Sequence, residues 1–118
     1  MAQLTWDHVL KRDDLIGGDL ESQEDDVAYR GPLAEIKEDG NIIHFLSPWC
    51  ARLNPETSEW ENWHITSLSV NKDMVTPQDI GGGRVFFSMA FLGVCTIFPK
   101  SGSKLDPAMV KGLQLAQA

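Results

Sequence analysis

From Val27 onward the chain is cut by turn residues into apolar runs too short for helices, and that punctuation restricts it to short strands. Glu38-Asp39-Gly40-Asn41 carries the chemistry of a tight turn, because Gly and Asn adopt positive φ at little cost. Asn54-Pro55-Glu56-Thr57-Ser58-Glu59 is a hairpin loop by composition, with Pro55 preset for a turn corner. Residues 42–53 between these turns show a dry odd-numbered face of Ile43, Phe45, Ser47, Trp49, Ala51 and Leu53, which predicts one long strand deformed near Pro48. Residues 27–37 predict a strand bent at Gly31-Pro32, since proline lacks the N–H that a central ladder needs. In residues 60–70 the apolar parity changes between Trp63, Ile65 and Leu68, Val70, and one extra residue near Thr66-Ser67 reconciles them as a β-bulge.

Residues 85–89 and 94–98 are two core strands by their apolar content. Ala90-Phe91-Leu92-Gly93 is either a tight turn or continuous strand, because periodicity does not separate the two. Leu15-Ile16 reads as the opening of a first strand, residues 21–26 as a polar acidic connection, and residues 72–83 as a longer connection ending in three glycines. Thr5 can cap a short N-terminal helix, and Asp106-Pro107 has the chemistry of a second helix start. Residues 114–118 are expected to fray. The expected fold is one all-β domain over residues 1–118: an antiparallel meander closed into a small barrel or curled sheet, with short helical segments at both ends. An SH3-like barrel is one such architecture.

At 118 residues, with 42% hydrophobic and 23% charged side chains, the chain can bury a core without a metal or disulfide. No apolar run reaches the length of a membrane span, and the first residues lack the basic and apolar regions of a secretory signal. Cys50 and Cys95 are lone cysteines and read as buried hydrophobes, which together with the missing signal places the protein in the cytoplasm as an expectation.

The net charge of −7 is concentrated: residues 1–40 hold eleven acidic side chains against four basic ones. Such a surface repels a phosphate backbone at long range and disfavours nucleic acid as a partner. A weaker alternative is that the acidic segment imitates nucleic acid and occupies a basic partner.

Catalytic and metal chemistry find little footing. His8, His44, Cys50, His64 and Cys95 are scattered without the close pairs that structural zinc draws on, and neither cysteine sits in a strand-turn-helix context. Glu59 and Glu61 beside Trp60 and Trp63 form the most suggestive carboxylate set, since tryptophan faces can stack on sugars. Gly81-Gly82-Gly83-Arg84 and Lys100-Ser101-Gly102-Ser103-Lys104 are the two places where a phosphate can be entertained, although neither matches a phosphate-loop motif. No cofactor motif is present. The expected function is a non-catalytic protein-binding or assembly module, with a protein partner or a second copy of the chain as ligand. Its binding candidates are Trp49, Arg52, Trp60, Trp63 and His64. The alternative is a small-ligand or carbohydrate site in a cleft lined by Trp49, Trp60, Trp63 and His64, with Glu59 or Glu61 as acid or base.

Overall fold

Three long antiparallel runs are each folded over at a common crease, so that one half of each lies in one sheet and the other half in a second. The structure, a computed structural model, describes residues 2–64, 66–89, 93–103 and 105–113. In chain order the paired halves are β3 (Val27–Pro32) with β4 (Glu35–Asp39), β5 (Ile42–Leu46) with β6 (Cys50–Leu53), and β7 (Trp60–Trp63) with β8 (Ser67–Asn71). Strands β4-β5-β8 form a three-stranded antiparallel sheet, while β3, β6 and β7 are neighbours in a larger one.

The crease falls where the sequence breaks strand chemistry: Pro32-Leu33-Ala34, Ser47-Pro48-Trp49 and the stretch after Trp63. The parity change in residues 60–70 is therefore a passage from one sheet to the other, and the expected bulge is not its cause. The deformation expected near Pro48 is likewise a full change of sheet. Ile65 lies outside the described residues.

The larger sheet runs β1-β9-β10-β11-β2-β3-β6-β7-β12. Its remaining members are β1 (Ala2–Gln3), β2 (Asp19–Glu24), β9 (Gln78–Asp79), β10 (Val85–Met89), β11 (Gly93–Phe98) and β12 (Val110–Lys111). All its pairings are antiparallel except β12 on β7. Among the described residues neither sheet closes on itself, so the strand-rich antiparallel class holds while barrel closure does not form.

Several local expectations change with this topology. The polar residues 21–26 are mostly strand, because β2 is paired on both sides and tolerates side chains that are polar on both faces. Residues 13–18 form turns that precede it, with Leu15 fully buried and Gly17 N–H donating to the Leu33 carbonyl at 2.8 Å. The antiparallel register Met89↔Gly93 requires the chain to reverse there, although residues 90–92 themselves lie outside the described residues, as do residues 114–118. Asp106 accepts from Ala108 N–H at 3.0 Å but caps only one 3-10 turn, after which the chain enters β12. At the other end, Thr5 accepts from His8 N–H at 3.2 Å and starts α1 (Trp6–Leu10). No helix among the described residues is long and apolar enough to cross a membrane.

The main core lies between the two sheets and is closed by α1. Ile43, Phe45 and Val70 enter from the small sheet, Val85, Phe87, Cys95 and Ile97 from the large one, and Trp6 and Val9 from the helix. Phe45 stacks on Phe87 with ring centres 5.8 Å apart, and Trp6 meets Phe87 edge-on at 5.4 Å, geometries favoured by aromatic pairs. The Trp6 indole N–H is satisfied by the Val75 carbonyl at 2.7 Å. A second, smaller cluster gathers Trp49, Ala51 and Val110, with Trp60, Leu105 and Leu113 packed against it.

Candidate functional site

Strand alternation places successive side chains of β2 and β3 on opposite faces, and the register shows which face is which. Phe87, Cys95, Ser22, Tyr29, Arg52 and Glu61 stand side by side across β10, β11, β2, β3, β6 and β7. This row begins inside the dry core at Phe87 and ends at a partly exposed ion pair. The small sheet covers only its first part. Beyond that cover, the inner face of the large sheet and strand β8 enclose a groove of about 360 Å³.

The floor of the groove is apolar, built from Leu20, Leu68 and Met89, with Tyr29 and Cys50 beside them. Ser22, Ser47 and Thr66 bring hydroxyl side chains to the lining, Ser67 and Ser69 border it along β8, and Glu24 is the one charged side chain of the described lining. Glu24 begins the acidic tip of the β2–β3 hairpin, where Asp25 holds a positive φ of 54° and Asp26 follows, all three exposed. Gly31 sits at the crease: a Cβ there would stand 2.6 Å from the Trp49 carbonyl oxygen and 3.1 Å from Ser47 Oγ.

One wall of the groove is a strand edge. Strand β8 is the last strand of its sheet and pairs only with β5 among the described residues. Ser47 N–H donates to the Thr66 carbonyl at 2.8 Å, and Lys72 N–H to the Asn41 carbonyl at 2.8 Å. An antiparallel ladder alternates, so Leu68 and Val70 exchange hydrogen bonds with β5, while the main-chain groups of Ser67 and Ser69 face the open edge. The Ser69 side chain is occupied separately, by His44 Nδ1 at 2.6 Å.

Beside the groove stands an aromatic shelf. Tyr29 and Trp63 have ring centres 5.9 Å apart, Trp63 and His64 5.1 Å, and the Arg52 guanidinium lies 5.0 Å from the Trp63 ring centre. Arg52 donates to Glu61 Oε1 at 2.7 Å, and this hydrogen bond raises the guanidinium pKa above its ordinary value. The Trp63 indole nitrogen is buried without a hydrogen-bond partner among the described residues.

The structure thus divides the five binding candidates. Arg52, Trp63 and His64 come together, joined by Tyr29. Trp49 is only 8% exposed and belongs, with Trp60, to the second core cluster. Trp60 and Trp63 are three residues apart on one strand and so project to opposite faces, and a cleft shared by all three tryptophans does not form. Glu59 and Glu61 do not form a working pair either: Lys111 holds Glu59 at 3.8 Å, and Arg52 holds Glu61.

The acids of residues 1–40 are carried by both sheets, and several are paired: Asp14 with Arg12, Glu21 with Arg30, and Glu38 with Lys72. Among the described residues no three metal-ligating side chains are grouped. Burial pushes the Cys50 thiol up to about 11, against a smaller lowering by a backbone hydrogen bond with Ala51, so at neutral pH it is protonated and a poor nucleophile. Cys95 is raised further by deeper burial.

The groove residues missed by sequence reasoning are Ser22, Glu24 and residues 66–69. Their signal was the failure of apolar alternation, since polar side chains occupy inward positions of β2 where a closed core would carry apolar ones. Comparison of the chain with protein-family models, with curated proteins and with solved structures gives no match.

Proposed function

We propose that the protein is a non-catalytic binding module that takes an extended, basic segment of a protein partner along the free edge of β8. The observation that carries this reading is the coincidence of an unpaired strand edge with an apolar groove. Strand addition draws affinity from main-chain hydrogen bonds and specificity from a pocket for alternate side chains. Ser67 and Ser69 supply the main-chain groups, and Leu20, Leu68 and Met89 supply the pocket floor. Charge sets the flank: Glu24, Asp25 and Asp26 make no ion pair among the described residues, and the protein carries a net charge of −7. A lysine or arginine next to the anchoring apolar side chain meets that tip.

A displayed library of extended peptides tests this. Selected peptides should alternate apolar and polar residues, carry Lys or Arg, and bind at the β8 edge. Ser69→Pro removes an N–H that faces the open edge and leaves the ladder to β5 intact, so it should weaken such peptides at least about tenfold. Ser69→Ala keeps that N–H and should bind nearly as wild type. If no peptide is selected, or if binding ignores Ser69→Pro, the proposal fails.

A second reading rests on the groove volume, which is at the low end for small-molecule sites, and on its hydroxyl lining. A small amphipathic ligand would then fill the groove, and its binding would survive Ser69→Pro but not Leu68→Arg.

A further inference from the structure

On the opposite face of the large sheet a second hollow, of about 300 Å³, is lined by Arg30, Gly82, Arg84, Phe98, Pro99 and Gly102. It brings together the two loops whose composition admits a phosphate and adds an arginine from β3. The two loops are far apart in sequence and meet because β10 and β11 are paired, with Val85 opposite Ile97.

Arg30 and Arg84 are held in different ways. The Arg30 guanidinium lies 5.0 Å from the centre of the Phe98 ring, and its Nη2 pairs with Glu21. Its Nε is buried and has no hydrogen-bond partner among the described residues, so Arg30 acts on an anion in the hollow through its charge and not through that N–H. Arg84 is exposed and has no carboxylate partner among the described residues. It folds back instead, donating from Nε to the Gly81 carbonyl at 3.0 Å and from Nη2 to the Ile80 carbonyl at 3.1 Å. That hold leaves Nη1 free to take an anion.

The glycine loop lies beneath Arg84. Gly81, Gly82 and Gly83 have φ of 93°, 64° and 77°, a left-handed run that side chains rarely adopt. A Cβ on Gly82 would stand 3.7 Å from Arg84 Nε, so a bare backbone lies close to the guanidinium. The acids nearby are already engaged. Glu21 is on Arg30, Asp19 accepts from Ser103 Oγ at 2.8 Å, and Asp79 accepts from Gly81 N–H at 2.8 Å.

We infer that this hollow binds a phosphate group on the Arg84 guanidinium, with the positive charge of Arg30 beside it. Guanidinium donors suit a phosphate because their fixed fork matches its oxygens. The hollow opens on the face opposite the groove, so its test is independent of the proposed function.

The test is an NMR titration of the whole protein with inorganic phosphate and, separately, with phosphoserine, at constant ionic strength. Saturable shifts are expected at the Arg30 and Arg84 Nε–H signals and at the Gly82 amide. Arg84→Gln, at an exposed position, should weaken phosphate at least about tenfold with the unfolding midpoint unchanged. Lys37→Gln, on β4, should change nothing. Tighter binding of phosphoserine than of inorganic phosphate would identify a phosphate ester as the natural source, and the reverse order would identify the free ion. A response to phosphate that does not saturate, an equal response to acetate, or full affinity in Arg84→Gln would overturn the inference.

Discussion

Gly31 and the Trp49 carbonyl oxygen approach so closely that a Cβ on Gly31 would stand 2.6 Å from that oxygen. This contact joins the first two bent strands at the crease, directly beside the groove. Gly31→Ala therefore forces two backbones apart. It should destabilise the protein by about 1–3 kcal/mol, read as a shift in the urea midpoint. An unchanged midpoint would mean that the crease is slack.

The Phe45–Phe87 stack is the principal tie between the sheets, because one ring comes from β5 and the other from β10. Both residues are fully buried. Phe87→Ala should cost about 3–5 kcal/mol, the usual range for removing a buried aromatic ring. The same substitution at Phe98, on the outer face, should cost less, and equal losses would contradict a core placed between the sheets.

Cys50 lines the groove but is held as a thiol. With its pKa pushed up to about 11 from 9.0, it should react with a thiol reagent at pH 8 about a hundredfold more slowly than an ordinary cysteine. Cys95, fully buried, should react only on unfolding. Rapid native labelling of Cys50 would show that the groove is wetter than its lining indicates.

The Arg12–Asp14 pair gives a pH dependence of known sign. The hydrogen bond from Arg12 lowers the Asp14 pKa below 3.8, so its contribution is complete above that value and is lost as pH falls through the lower folded value. Asp14 is about half exposed, so the effect is at most about 1 kcal/mol. Asp14→Asn should flatten the acid limb of the stability profile below pH 4, and an unchanged limb would show that the pair contributes nothing.

Much of the fold was legible because its cause is local. Gly40-Asn41 and Asn54-Pro55 encode turns wherever they stand, and both end hairpins here: Asp39 faces Ile42, and Leu53 faces Trp60. The two-sheet arrangement was not legible, since a proline near residue 48 bends a strand equally well within one sheet or between two. Strand β2 was hidden because Glu21, Ser22 and Glu24 look like a loop until the neighbours β11 and β3 are known. Trp63, Arg52 and His64 stand out by residue type and gather beside the groove without lining it, whereas Ser67 and Ser69 enter the proposed site through their main chain, which no side-chain pattern reports.

Amide hydrogen exchange along β8 tests the central claim most directly. In the free protein Leu68 and Val70, bonded to β5, should be protected, while Ser67 and Ser69 should exchange rapidly. A selected peptide bound at the edge should make Ser69 slow. Protection of Ser69 in the free protein, or continued rapid exchange with peptide bound, would contradict strand addition at β8.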